Sequence, residues 1–210
     1  MIFSTFRITY NIIMWALLLL FAFVCLLLSL IRSIIPSSRI RQSLQKTIFI
    51  TYRSFSACCY VLIKPQTQVN VFCPPEQQLD RNKNYIMISN HQSWADILIL
   101  MCYLQRRTSN MKFMMKKQLL WQIPVAGWCC YINGFPMIEK RTQSTQKRAS
   151  NNKTIAEACH KMKANPSTLI IFPEGTRFST AKWHQSQCRH AHVLPPKSHG
   201  LIQSIKGLGE

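Results

Sequence analysis

Between Arg7 and Arg32 the chain carries no charge: "ITYNIIMWALLLLFAFVCLLLSLI" runs from Ile8 to Ile31. At about 1.5 Å per helical residue this run is about 36 Å long. That is enough to cross a hydrocarbon core about 30 Å thick with some tilt. From Ile12 to Leu28 its only polar side chain is Cys25. A single small domain has too little surface to bury such a helix on all sides, so a membrane anchor is expected. Arg7 flanks it on one side, and Arg32, Arg39, Arg41 and Lys46 on the other. The positive-inside bias then puts the body of the chain in the cytoplasm. A cleaved signal peptide fits less well: the apolar run exceeds the usual ~7–15 residues and no small-x-small site follows closely.

Charge narrows the partner. Of 210 residues, 26 are Lys or Arg and 7 are Asp or Glu, a formal net charge of +19. Such an excess favours an anionic partner: a membrane surface, a nucleic acid or a phosphate-bearing substrate. Residues 1–75 contain no acid, so the excess begins at the anchor and its flank. The nucleic-acid reading rests on charge alone, because no recognition motif or aromatic-basic interleaving accompanies it; no nucleic-acid partner is expected. No Gly-rich phosphate loop or dinucleotide fingerprint is present. Nine cysteines occur without a C-x-x-C pair or Cys/His spacing suited to zinc, so reduced thiols and no metal are expected.

After the anchor, "SIIPSSRIRQ" is a polar, Pro-containing break. Residues 47–64, "TIFITYRSFSACCYVLIK", are apolar with Arg53 in the middle. They read either as an interfacial helix whose Arg53 and Lys64 reach the headgroups or as the first helix of the domain. From about residue 66 the pattern changes. "TQVNVF", "NYIMIS", "MKFMMK", "CCYINGFPMI" and "STLIIF" read as strands. Residues 94–107, 117–123 and 142–164 read as helices between them. The alternation predicts an α/β layer architecture. The stretch after Arg177 reads as an irregular surface loop. The expected organisation is an anchor and basic flank (1–46), a second apolar helix (47–66) and a catalytic domain (67–210).

Two stretches carry candidate chemistry. In "NHQSWAD" His91 precedes Asp96 by five residues. On one continuous helix the two would point well apart. They meet if His91 lies in the turn before a helix and Asp96 in its first turn, with Ser93 at the N-cap. The carboxylate would then set the imidazole tautomer and stabilise its protonated form. The same residues also make a plain capping box, with Asp96 suited to a helix N-terminus. In "LIIFPEGTRF" a buried strand runs into a tight turn, where open α/β sheets place ligand sites. Arg177 is a permanently charged planar donor suited to phosphate, and Thr176 and the turn amides add hydrogen bonds. A strand-end turn with a solvated Arg is the plain alternative.

Together these stretches resemble the glycerolipid acyltransferases. "NHQSWAD" is similar to their Asn-His-x4-Asp motif, "FPEGTR" to their third motif and "GFPMIEK" to their second, Gly-x-x-φ-φ-x-Arg with φ apolar. "KKQLLWQIPVAGW" is similar to the Lys-x-x-L…P-x-x-G-W stretch between the first two. The order is the same, and the resemblance covers roughly residues 84–200, with the 1-acylglycerol-3-phosphate acyltransferases as nearest relatives. "PPKSHG" resembles the Lys-x-x-Gly stretch of the membrane-anchored branch. Two departures stand out. Lys140 occupies the second motif's Arg position, with Arg141 following, and Lys gives a point charge rather than a bidentate fork. The fourth motif, an apolar strand with a Val-Pro pair, is not found. The second departure raises the alternative of a C-terminally truncated, catalytically inactive membrane-bound remnant.

The resemblance implies a glycerol-3-phosphate acyltransferase-like layered sheet with flanking helices, preceded by the transmembrane helix. It implies acyl transfer from acyl-CoA or acyl carrier protein to the free sn-2 hydroxyl of 1-acylglycerol-3-phosphate or a related lysophospholipid. His91 would be general base and Asp96 its orienting partner. Glu174, Gly175, Thr176 and Arg177, with Lys140 and Arg141, would form the acceptor-phosphate site. The thioester is a cosubstrate, and the chemistry calls for no metal or bound cofactor. A covalent route through Ser93 is the competing mechanism. The expected partners are the bilayer, the lysophospholipid and the acyl thioester.

Overall fold

The computed structural model describes residues 2–63, 79–104, 107–108, 110–140 and 144–209. Contacts divide the chain into two units, one of Met1–Glu76 with Leu119–Asn133, the other of Gln77–Gln118 with Gly134–Glu210.

The first unit is helical. Helix α1 spans Ile2–Ile34, and α2 spans Ser38–Ile63. Residues 9–34 of α1 are long and apolar enough to cross a bilayer. Pro36 lies in the short break, because a proline cannot donate the next helical hydrogen bond. The second helix therefore starts at Ser38 rather than at the apolar stretch beginning with Thr47. Its basic N-terminal half is as helical as its apolar half. It doubles back along α1, so that the Phe21 and Phe55 rings lie 5.2 Å apart.

Helices α4 (Leu119–Gln122) and α5 (Pro124–Ile132) complete this unit. Pro124 occupies the first turn of α5, where its missing N–H has no partner to lose. Gly127 lets the two short helices touch: a Cβ there would meet the Leu119 carbonyl oxygen and lie 2.9 Å from Leu120 Cα. Asn133 donates to Ser29 Oγ at 2.7 Å, and Arg32 donates to the Ile132 carbonyl at 3.2 Å, which ties α5 to α1. The Tyr52 hydroxyl and Cys129 thiol share a hydrogen bond at 2.9 Å, which ties it to α2. "CCYI" is thus helix, not the start of a strand. Residues 118–138 carry no charge, and an uncharged run of that kind does not distinguish helix from strand by periodicity.

The second unit is a parallel sheet with helices on both faces. Strands β1 (Tyr85–Ile88), β2 (Met111–Phe113) and β5 (Thr168–Ile171) lie in the order β1-β5-β2, all parallel. Strands β3 (Met115–Lys116) and β4 (Met137–Ile138) form a second parallel pair. Central β5 is buried throughout, which its unbroken "TLII" run requires. Ile170 packs with Leu104 of α3 (Ala95–Leu104) and with Phe113. Leu169 and Ile171 pack on the opposite face with Met162 of α6 (Thr145–Ala164) and Leu201 and Leu208 of α8 (His199–Gly209). Each fully buried side chain among these contributes about 1.5–3 kcal/mol by leaving water.

The expected strands at "NYIMIS" and "STLIIF" and the three helices occur, whereas "MKFMMK" is two strands, β2 and β3, broken at Met114 and paired in different sheets. "TQVNVF" lies outside the described residues. The stretch after Arg177 departs from the loop expected there. Residues Thr180–Ser186 form α7, whose N-cap Ser179 accepts from Lys182 N–H at 3.3 Å. Ser-Thr at a helix start outweighed the polar, irregular look of the segment.

Candidate functional site

The site follows from the topology of the second unit. Strands β1 and β5 are parallel neighbours, so the loops leaving their C-terminal ends lie side by side. Ser89 N–H donates to the Ile171 carbonyl at 3.2 Å, and Phe178 N–H donates to the His91 carbonyl at 2.7 Å. The "FPEGTR" turn is therefore held at both its ends against the start of the "NHQSWAD" loop, although the two are far apart in sequence.

His91 precedes α3 and Asp96 lies in its first turn, the arrangement that brings their side chains together. His91 Nδ1 is 2.9 Å from Asp96 Oδ2. The same oxygen accepts from Gln92 N–H at 2.6 Å and Ser93 N–H at 2.8 Å. The second of these is one half of a capping box. Cap and dyad thus share one carboxylate. The side chains of His91 and Asp96 are 15% and 19% exposed, so the pair is shielded but reachable. The His91 ring stacks on Phe172, with centroids 4.2 Å apart. In the tautomer that donates from Nδ1 to this carboxylate, Nε2 is left as the basic nitrogen of the ring.

Glu174 is 4% exposed. Its Oε1 accepts from His91 N–H at 3.3 Å. Its Oε2 is buried without a hydrogen-bond partner among the described residues. Gly175 closes the turn, with its N–H donating to the Phe172 carbonyl at 3.0 Å. Its φ of +64° suits glycine, and a Cβ there would lie 3.3 Å from the Lys197 side chain.

Lys182 Nζ donates to Thr176 Oγ1 and to the Arg177 carbonyl, both at 2.9 Å. Arg177 reaches back over the Trp94 ring at 4.9 Å from its centroid. Lys197 N–H donates to the Pro173 carbonyl at 2.7 Å.

The structure thus brings together His91, Asp96, Glu174, Gly175, Thr176 and Arg177. Lys140 is exposed just after β4, and Arg141 lies outside the described residues. Residue Lys116, opposite Ile138 in the β3–β4 pair, carries the signature of the surrounding charge. Its ammonium is held below the usual lysine range, first by burial and then by Lys197, Lys182, Lys140 and Arg177. Next to it, Lys117 is instead paired with Glu139 at 3.2 Å.

Lys116, Lys182 and Lys197 were not among the site residues expected from sequence. For Lys197 a signal existed in the "PPKSHG" stretch. For Lys116 one existed in "KKQLLWQIPVAGW", which it opens; nothing local marks Lys182 off from other surface lysines. A cluster of cations around a strand-end turn, beside a His–Asp pair, suits a phosphate-bearing substrate with a proton to give up.

Comparison with known proteins identifies relatives of the chain. A profile of the acyltransferase family matches residues 70–197. The chain is 30% identical over 125 residues to a 1-acyl-sn-glycerol-3-phosphate acyltransferase of Saccharomyces cerevisiae, covering 60% of this chain and 38% of that protein. It is 27% identical over 141 residues to the protein of that name from Escherichia coli, covering 63% and 54%. An uncharacterized acyltransferase of Schizosaccharomyces pombe is 26% identical over 148 residues, covering 62% and 41%. The matched stretches span well under two thirds of the length of these relatives. No solved structure matches. With the motif residues in the family's order and its profile spanning more than half of the sequence, the chain belongs to the acyltransferase family.

Proposed function

We propose that the protein transfers a fatty acyl group from a thioester, acyl-CoA or acyl carrier protein, to the sn-2 hydroxyl of 1-acylglycerol-3-phosphate or a related lysophospholipid. The observation that carries this reading is the His91–Asp96 pair at 2.9 Å, held against the turn that bears Arg177.

An alcohol is a weak nucleophile until its proton is removed as it attacks. Nε2 of His91 takes that proton while the acceptor oxygen attacks the thioester carbonyl. Asp96, bound at Nδ1, stabilises the imidazolium formed. The tetrahedral intermediate collapses with cleavage of the carbon–sulfur bond, and the leaving thiolate takes the proton back from Nε2. No acyl-enzyme is required. Arg177, with Lys140 and Arg141, holds the acceptor phosphate. Lys116 and Lys197 add positive charge, and Glu174 shapes the pocket through His91 N–H.

The bilayer is the expected partner of the helical unit, with the catalytic unit on the cytoplasmic side. Side chains such as Ile12, Trp15, Leu19 and Leu20 are exposed on α1, which suits hydrocarbon. Trp121, at 74% exposure, and Tyr131 end a row of edge-on aromatic contacts through Trp128, which suits the headgroup zone. Arg53 is exposed two residues before Phe55, which packs on Phe21 near the middle of the apolar stretch. A guanidinium at the bilayer centre costs about 2.5–3.5 kcal/mol or more. Arg53 therefore favours a strongly tilted α1 that lets α2 reach the headgroups.

The test is transfer from labelled acyl-CoA to lysophosphatidic acid in membranes carrying the parent chain or His91→Ala. Product from the parent and none from the variant is expected. Equal product from both would refute the role of His91. A folded, membrane-bound parent that acylates neither lysophosphatidic acid nor other lysophospholipids, with either carrier, would overturn the reading.

A further inference from the structure

We infer that Trp94 is a positioning residue for phosphate recognition: its indole holds the Arg177 guanidinium in place to meet the acceptor's phosphate. This rests on the reading of Arg177 given above. Trp94 lies in the loop between His91 and Asp96, and its ring is the surface over which the guanidinium lies, 4.9 Å from the centroid. It is 50% exposed, so a large apolar side chain is kept in water where its contribution to a core is small.

An exposed arginine samples many rotamers, and ordering it on binding costs side-chain entropy. A ring beneath the guanidinium limits those rotamers before the ligand arrives. It also leaves the positive charge in place, with N–H donors free at the rim of the group.

The rest of the residue is held as well. The Arg177 carbonyl accepts from Lys182 Nζ at 2.9 Å. The next residue, Phe178, donates its N–H to the His91 carbonyl at 2.7 Å. The platform itself is fixed by its neighbours. Ser93 N–H donates to Asp96 Oδ2 at 2.8 Å, and Ala95 N–H donates to Ser93 Oγ at 3.0 Å. One short loop therefore sets both the imidazole and the guanidinium, and with them the spacing between the reacting hydroxyl and the phosphate of the same acceptor. Neither Ser93 nor Trp94 touches the reacting atoms in this account; they act through Asp96 and Arg177.

The test is equilibrium binding of radiolabelled lysophosphatidic acid, and of a monoacylglycerol of the same chain length, to the full chain in nanodiscs. The variants are Trp94→Ala, Trp94→Phe, Arg177→Ala and the Trp94→Ala/Arg177→Ala pair, each checked for an unchanged melting temperature. Trp94→Ala is expected to weaken lysophosphatidic acid binding about fivefold, with Trp94→Phe within about twofold of the parent. Monoacylglycerol binding stays unchanged, and the Trp94 effect vanishes in the Arg177→Ala background. The inference is overturned if Trp94→Ala weakens both lipids alike, or if its effect persists without Arg177. A parent that binds both lipids equally would overturn the phosphate reading and this inference together. A parent that discriminates through Arg177 but is indifferent to Trp94→Ala would overturn this inference alone.

Discussion

Replacing Asp96 by Asn changes one atom and removes one charge. Asp96 Oδ2 accepts from Gln92 N–H at 2.6 Å and Ser93 N–H at 2.8 Å, and lies 2.9 Å from His91 Nδ1. An amide oxygen in that place keeps both backbone donors, so the start of α3 stays capped. What is lost is the negative charge beside the imidazolium that forms as the acceptor is deprotonated. Unit charges about 4 Å apart interact by about 4 kcal/mol at an effective dielectric near 20. The 15% and 19% exposure of the two side chains makes that intermediate dielectric the appropriate one. At 1.36 kcal/mol per decade, this predicts a fall in kcat of about a thousandfold, inside the ~10²–10⁴ range of general-base catalysis. Stability should fall by only about 0.5–1.5 kcal/mol, the net value of an ordinary hydrogen bond. The assay is initial-rate acyl transfer at saturating lysophosphatidic acid, with a thermal melt of the same preparation. A kcat within about tenfold of the parent, with a lowered melt, would refute the catalytic role. Asp96 would then be a helix cap and no more.

Three further outcomes are expected. Ser93→Ala keeps more than about half of the activity and lowers stability by about 0.5–1 kcal/mol, because Ser93 Oγ accepts from Ala95 N–H at 3.0 Å and donates only a long 3.4 Å hydrogen bond to Asp96 Oδ1; complete loss in a steady-state assay would support the covalent route. Lys116→Met raises the melting temperature at pH 7 and weakens acceptor binding. The folded state depresses this lysine's ionisation through burial and its cationic neighbours, so its charge opposes folding most at pH values below the depressed one; the gap between variant and parent should start to narrow as pH passes that value and close only on reaching the ordinary lysine range, as a fluorimetric melt series would show. Gly175→Ala costs about 1–2 kcal/mol in urea unfolding, because the φ of +64° suits a residue without Cβ, and displacement of the Lys197 side chain weakens acceptor binding as well.

Much of the second unit was legible because local pattern and tertiary environment agree. "TLII" is unbroken and apolar, and it becomes the strand buried on both faces. "SWAD" is a capping signal, and α3 starts where it says. The errors fall where period and composition are ambiguous. "CCYI" has no charged residue to reveal a helical or strand period, and it packs as helix against α1 and α2. The residues after Arg177 look like a loop, yet seven of them form α7 and carry Lys182 to the turn.

The sequence by itself determined the apolar helix, the basic excess, the α/β alternation and the local pairing of His91 with Asp96, because each depends on near neighbours in the chain. Only the tertiary structure decided which distant residues meet. The parallel pairing of β1 with β5 places the His91 loop against the Glu174–Arg177 turn. The segment leading into α8 brings Lys197 to the same turn, and β3 brings Lys116 within the electrostatic reach of Lys197 and Arg177. The guanidinium of Arg177 comes to rest on Trp94. Such contacts depend on strand order and loop exit, which no spacing along the chain encodes.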